Sequence, residues 1–191
     1  DGKNPNVDGV YKIADPPAPD TLTILDVRSF PPRAVAEIEV KHTVAGPPQS
    51  VALTPDEKLA LVSAPNRVDP NDKTKLLLED ALQIVDLEAS PPRVISRLAL
   101  GSHPLGLSVS RAGDLALAAH VADGTVSVLT ISGKTVTKVG SVTVGDAKSR
   151  VSHVAISPDG KWALASKRGE NTVAVLAIDG TKVEYTKRDI T

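Results

Sequence analysis

"SHVAISPDGKWALASK", residues 152–167, reads as two short apolar runs joined by Ser-Pro-Asp-Gly. Runs of this length around a tight polar turn are hairpin strands, and Asp-Gly supplies the backbone geometry the turn needs. Two other segments align with it, "QSVALTPDEKLALVSA" (49–64) and "LGLSVSRAGDLALAAH" (105–120). A third strand follows each hairpin: "DALQIVDL" (80–87), "GTVSVLTI" (124–131) and "NTVAVLAI" (171–178). A further copy of it, "DTLTILDV" (20–27), precedes the first hairpin. A fourth strand closes each unit: "RAVAEIEV" (33–40), "RVISRLAL" (93–100), "TVTKVGSVTV" (135–144) and "KVEYTKRDI" (182–190). The similarity of "DVRSFPPRAVAEIEV" (26–40) to "DLEASPPRVISRLAL" (86–100) marks the units as duplicates of one ancestor.

A four-stranded unit recurring every roughly 47 residues is the signature of a β-propeller blade. The expected fold is therefore all-β, a β-propeller of four-stranded antiparallel blades with about three and a half blades in this chain. A partial blade with an N-terminal segment occupies 1–48, followed by blades at 49–104 (carrying an insertion at 65–80), 105–151 and 152–191. Strand periodicity and Pro/Gly punctuation exclude a helical solenoid.

Composition narrows the class. The chain has 191 residues, 41% hydrophobic and 24% charged, as soluble globular domains have. Lys+Arg is 22 against Asp+Glu 23, which gives a net charge of −1 and no footprint for nucleic acid or an anionic membrane. There is no Cys, which rules out disulfides, thiolate metal sites and cysteine nucleophiles. No Met is present either, so the expected origin is a processed, cleaved or excised chain. Removal of a signal peptide is one such route, and the expected location is periplasmic or secreted. Aromatics make up 2%, so the core must be built from Val, Leu, Ile and Ala.

The segment "ISPDGKWALASKRGENTVAVLAI" (156–178), together with "GTVSVLTI" (124–131) and the Gly-x-x-Pro of "GSHPLGLSVS" (101–110), resembles the YVTN family of propeller repeats. The resemblance covers about residues 20–191 and implies a ring of seven or eight blades. Surface-layer proteins, periplasmic proteins and relatives of lactonases belong to that family, and the haem domain of nitrite reductase looks similar. A ring of that size is about twice this chain, so the missing blades are expected from the same polypeptide or from a second copy. An open stack would leave two blade faces uncovered.

Propeller geometry puts the loop into the inner strand and the loop after the second strand on one face, around the channel mouth. The repeat sends His103, Arg150 and His153 there from inner-strand starts, and His120, Lys167 and Arg168 from second-strand ends. His42 lies at the equivalent start one unit earlier. Imidazole and cationic groups together suit an anion, a haem-like cofactor or a metal. The plain alternative is that strand ends are polar because they meet water.

The insertion "PNRVDPNDKTKLLLED" (65–80) offers Asp69, Asn71, Asp72, Glu79 and Asp80 to a hard cation, but the Asp-x-Asn-x series breaks at Lys73. A solvated loop, or a lid that binds a partner, is the better expectation. "NPNVDG" (4–9) resembles the start of a calcium loop, with Asn4, Asn6, Asp8 and Asp15 as ligands, although its first and last ligand types are wrong. Trp162 is expected to pack between blades. No Gly-x-Ser-x-Gly elbow, His-Glu-x-x-His or phosphate loop is present.

Three functions remain. The first is an exported, non-catalytic propeller that offers its channel-mouth face to a protein or small ligand. The second is a lactonase-like hydrolase using histidine and arginine at that mouth. The third is a redox propeller in which His103, His120 or His153 ligates haem. Calcium and haem are the cofactors considered, and neither is clearly implied.

Overall fold

The computed structural model describes residues 6–7, 10–11, 19–41, 50–72 and 74–191, all of them strand, turn or coil. A short antiparallel ladder pairs β1 (Asn6–Val7) with β2 (Val10–Tyr11). The next pair is β3 (Asp20–Asp26) and β4 (Arg33–Val40). Three four-stranded sheets follow, each antiparallel and in sequence order. The first holds β5 (Val51–Leu53), β6 (Leu59–Val68), β7 (Leu76–Asp86) and β8 (Arg93–Ala99). The second holds β9 (Pro104–Val109), β10 (Leu115–His120), β11 (Thr125–Ser132) and β12 (Thr135–Thr143). The third holds β13 (Val151–Ile156), β14 (Trp162–Lys167), β15 (Thr172–Asp179) and β16 (Lys182–Ile190). These are the blades of a partial β-propeller, as the repeat implies. The β3–β4 pair repeats the two outer strands β7 and β8, and the Phe30–Pro31 and Ser90–Pro91 bonds between those strands are both cis.

Each hairpin turn between the two inner strands is built alike. The Thr54, Ser110 and Ser157 hydroxyls accept the backbone N–H groups of Leu59, Leu115 and Trp162 at 3.1, 3.2 and 3.0 Å. One turn residue in each copy is left-handed: Glu57 at φ 59°, Gly113 at 81° and Gly160 at 69°. A side chain in that conformation costs on the order of 1 kcal/mol, which glycine avoids. Glu57→Gly should therefore raise the melting temperature by about 2–4 °C, measured by differential scanning calorimetry.

Sheets stack face to face through aliphatic clusters. Leu61, Leu82 and Ile84 meet Ala116, Ala118 and Leu129 between the first two complete blades. Leu117, Val126 and Val128 meet Val154, Ala165 and Leu176 between the next two. Ile38 and Val40 close the partial blade onto Ala60, Val62 and Val85. The stack stops at the last blade. Trp162, expected between blades, is 48% exposed beside Leu164 at 43% and Ile190 at 52%. Its strand alternates as designed, with Ala163 and Ala165 buried against the preceding blade. Among the described residues no sheet covers the other side.

The 65–80 insertion is not a loop. It prolongs β6 and β7 into a two-stranded ribbon, with Asn66 opposite Leu78 and Val68 opposite Leu76. Glu79 fastens it, pairing with Arg67 across the ribbon and with Arg97 on β8, each at 2.7 Å. Asp69 and Asp72 fold the tip, accepting the backbone N–H groups of Asn71 and Thr74. Those carboxylates are spent on shaping the ribbon. Among the described residues no three His, Asp or Glu side chains gather as a metal site.

Candidate functional site at the channel mouth

Antiparallel order sends the starts of the inner strands and the ends of the second strands to one end of the stack. Four of the six residues expected there keep accessible groups. Two do not.

His120 ends β10 and is fully buried. Its Nε2 lies 2.7 Å from the Ser127 hydroxyl on β11. Nδ1 has no partner of hydrogen-bond geometry, although the Ser102 backbone stands near enough to favour the protonated ring weakly. Burial dominates and holds the imidazole below its ordinary value, which favours the neutral ring. With Nε2 engaged and the ring enclosed, His120 is a structural group and does not suit the role of axial ligand.

Lys167 ends β14 and is 5% exposed. Its Nζ donates to Asp189 on β16 at 2.8 Å and lies 2.7 Å from Glu170 in the following turn. Ser149 donates to the same Glu170, and Tyr185 Oη donates to Asp189. Burial alone would lower the lysine, but these two carboxylates outweigh it and raise it above its ordinary range. The ammonium ties three segments of the last blade together and is not free for a ligand.

Both carboxylates titrate below their ordinary values. For Glu170 the Lys167 ammonium is the main cause, followed by the Ser149 hydroxyl. For Asp189 burial opposes the shift, and the Lys167 and Tyr185 hydrogen bonds overcome it. A depressed carboxylate stabilises the fold above its unfolded value and loses that contribution as pH falls through the folded value. Lys167→Met should thus lower the urea midpoint at pH 7. The deficit should begin to shrink as pH drops below about 4, where the unfolded carboxylates protonate, and should be gone once pH has fallen through the lower folded values of the wild type.

The remaining candidates form two groups with no hydrogen bond or ion pair between them. His103, half-buried, precedes β9 and lines an open cavity of 520 Å³ with Arg67, Glu79, Asp80, Ser102 and Ala122. Burial holds its imidazole below the ordinary value. The ribbon forms one wall of this cavity, a contact that the spacing of the sequence does not show.

The second group is on the last blade. Arg150 enters β13 in a left-handed conformation, φ 50°, with its side chain exposed. His153 is half-buried on β13, just past a bulge, and Arg168 follows β14, exposed. Burial lowers His153 first, and the positive charge of Arg168 lowers it further. Both effects favour the neutral imidazole. Ser152 and Ser166 surround it, with Ser152 Oγ 3.0 Å from His153 Nδ1. Such a group can hold a carboxylate, or an oxygen on which negative charge develops.

His42, Asn4, Asp8 and Asp15 lie outside the described residues. Of Asn6 only the backbone, in β1, is described.

The family model "Lactonase, 7-bladed beta-propeller" matches residues 135–191. That stretch holds β12 and the whole last blade, and with it Arg150, His153 and Arg168. No curated protein matches the chain. Among solved structures, a functionally unknown protein from Desulfotomaculum acetoxidans superimposes with TM-score 0.69 at 18% identity, over 89% of this chain and 49% of that one. The periplasmic gluconolactonase of Pseudomonas aeruginosa gives TM-score 0.65 at 16% identity, over 90% and 50%. A putative 6-phosphogluconolactonase from Bacteroides fragilis gives 0.54 at 18% identity, over 90% and 65%. At these identities the likeness is one of fold, that of β-propeller blades, and the family model matches only the last part of the chain. The chain spans about half the length of the first two of these structures.

Proposed function

We propose that this chain is part of a lactonase-like hydrolase of the periplasm or cell exterior, acting on a sugar lactone at the channel mouth of its last blade. One observation carries the reading. The lactonase family match falls on the blade that holds Arg150, His153 and Arg168, the group best suited to an oxygen anion. This displaces the non-catalytic binding role as the leading interpretation. The repeat is of YVTN type, and the periplasmic location draws support from the gluconolactonase neighbour. The uncovered face around Trp162, Leu164 and Ile190 calls for further blades, from the same polypeptide or a second copy.

Chemically, lactone opening needs water to add to the carbonyl carbon and the resulting oxyanion to be stabilised until the ring C–O bond breaks. Fixed positive charge and N–H donors supply that stabilisation. The test is base consumption in a pH-stat with D-glucono-δ-lactone. Opening faster than the spontaneous reaction, and slowed on the order of 100-fold by Arg168→Ala, supports the hydrolase. A rate equal to the uncatalysed one, with tight binding of the lactone, returns the protein to the binding role.

A further inference from the structure

His153, Ser152 and Ser166 form a closed hydrogen-bond circuit, and a count of its protons favours one direction. The His153 backbone N–H donates to Ser166 Oγ at 3.1 Å. Ser166 Oγ lies 3.1 Å from Ser152 Oγ and 3.5 Å from His153 Nδ1. Ser152 Oγ lies 3.0 Å from the same Nδ1. Each hydroxyl has one proton to place. If Ser166 donates to Ser152 and Ser152 donates to Nδ1, every proton in the circuit has an acceptor at the shorter distances. The reverse direction has Nδ1–H donating to Ser152 and Ser152 to Ser166, whose own proton then has no partner in the circuit. Ser152 is 1% exposed, so its proton must go to Nδ1 or to Ser166, and only the first choice leaves every hydroxyl proton of the circuit with an acceptor inside it at the shorter distances.

In the neutral ring Nδ1 is then an acceptor and the single N–H sits on Nε2. That nitrogen has no protein partner, and it is not enclosed.

We propose that His153 serves as a neutral Nε2–H donor to the developing oxyanion of the substrate carbonyl, with the Ser166–Ser152 relay fixing its tautomer, and not as a general base. The substrate rests on the lactonase reading; the tautomer does not. In the reaction a water oxygen bonds to the carbonyl carbon, and the π pair moves onto the carbonyl oxygen, where Nε2–H and the Arg168 charge receive it. Collapse re-forms the carbonyl and breaks the ring C–O bond. The alkoxide takes up the proton the water gave up, leaving the hydroxy acid.

Long-range ¹⁵N–¹H correlation spectra of the labelled protein above the titration range of the imidazole read the tautomer directly. The expected pattern has a protonated Nε2 and an unprotonated Nδ1, with Ser152→Ala raising the share of the other tautomer. A dominant Nδ1–H in the wild type overturns the assignment. In lactone hydrolysis, His153→Gln keeps an N–H donor and should stay within about tenfold of wild-type kcat, while His153→Ala should lose on the order of 100-fold. Equal losses in both variants identify a base and overturn the donor role. A wild type without lactonase activity removes the substrate and the oxyanion role with it, and the spectrum still decides the tautomer.

Discussion

Gly106→Ala should cost the fold about 3 kcal/mol, seen as a lower urea midpoint at unchanged m-value. Gly106 sits on β9, the inner strand of the middle complete blade, where the strands crowd toward the channel. A Cβ there would stand 2.6 Å from the Ser152 carbonyl oxygen and 2.7 Å from His153 Cα. Both obstacles are backbone, so no side chain can swing aside to make room. Relief requires β13 to move as a whole, and β13 carries Ser152 and His153. The same substitution should therefore weaken the serine relay, and under the proposed hydrolase function it should lower kcat for lactone opening in whatever fraction folds. A midpoint within experimental error of wild type would mean that β9 and β13 are farther apart than described.

Leu117→Ala should likewise cost about 3 kcal/mol, whereas Leu164→Ala should cost less than about 1 kcal/mol. The two leucines occupy corresponding second strands, β10 and β14. Leu117 is fully enclosed between two sheets, so truncation removes its contacts and leaves a cavity. Leu164 holds the same repeat position and faces the same way, but onto the side of the last blade that no described sheet covers. Paired urea melts of the two variants measure the contrast. Once further blades are supplied, Leu164→Ala should become as costly as Leu117→Ala, because the position would then be interior.

Much of this architecture was legible because its signals are local and repeated. Ser-Pro-Asp-Gly and its two relatives each force a hairpin, and a recurrence stretched only by the insertion at 65–80 converts three hairpins into three blades. The insertion misled for the opposite reason. Asp69, Asn71 and Asp72 mark a turn, but nothing local says that the residues on either side of it pair as a ribbon. That pairing depends on β6 and β7 already being aligned below it and on Glu79 reaching two arginines.

At the proposed channel mouth, spacing assigned six residues to one end of the strands but could not tell which of them face solvent. The signal for Lys167 was present: it follows Ala163 and Ala165 at a two-residue period, and those alanines belong to the buried side. Arg168, one residue on, falls outside. His120 occupies the same position in the preceding blade, whose second strand is buried along its whole length. The serines flanking His153 are visible in the sequence. The direction of their hydrogen bonds is not, because it depends on the bulge in β13 and on register with β14.

The central claim is that ligand binding occurs at Arg150, His153 and Arg168. Titration of ¹⁵N-labelled protein with sodium gluconate, the hydrolysis product of the test lactone, examines it most directly. The account predicts backbone amide shifts that saturate and cluster on 149–153 and 166–170, and that vanish in Arg168→Ala. Saturable shifts confined to the turns around Thr54 and Ser110 at the opposite end of the stack would contradict it, as would the absence of any saturable shift.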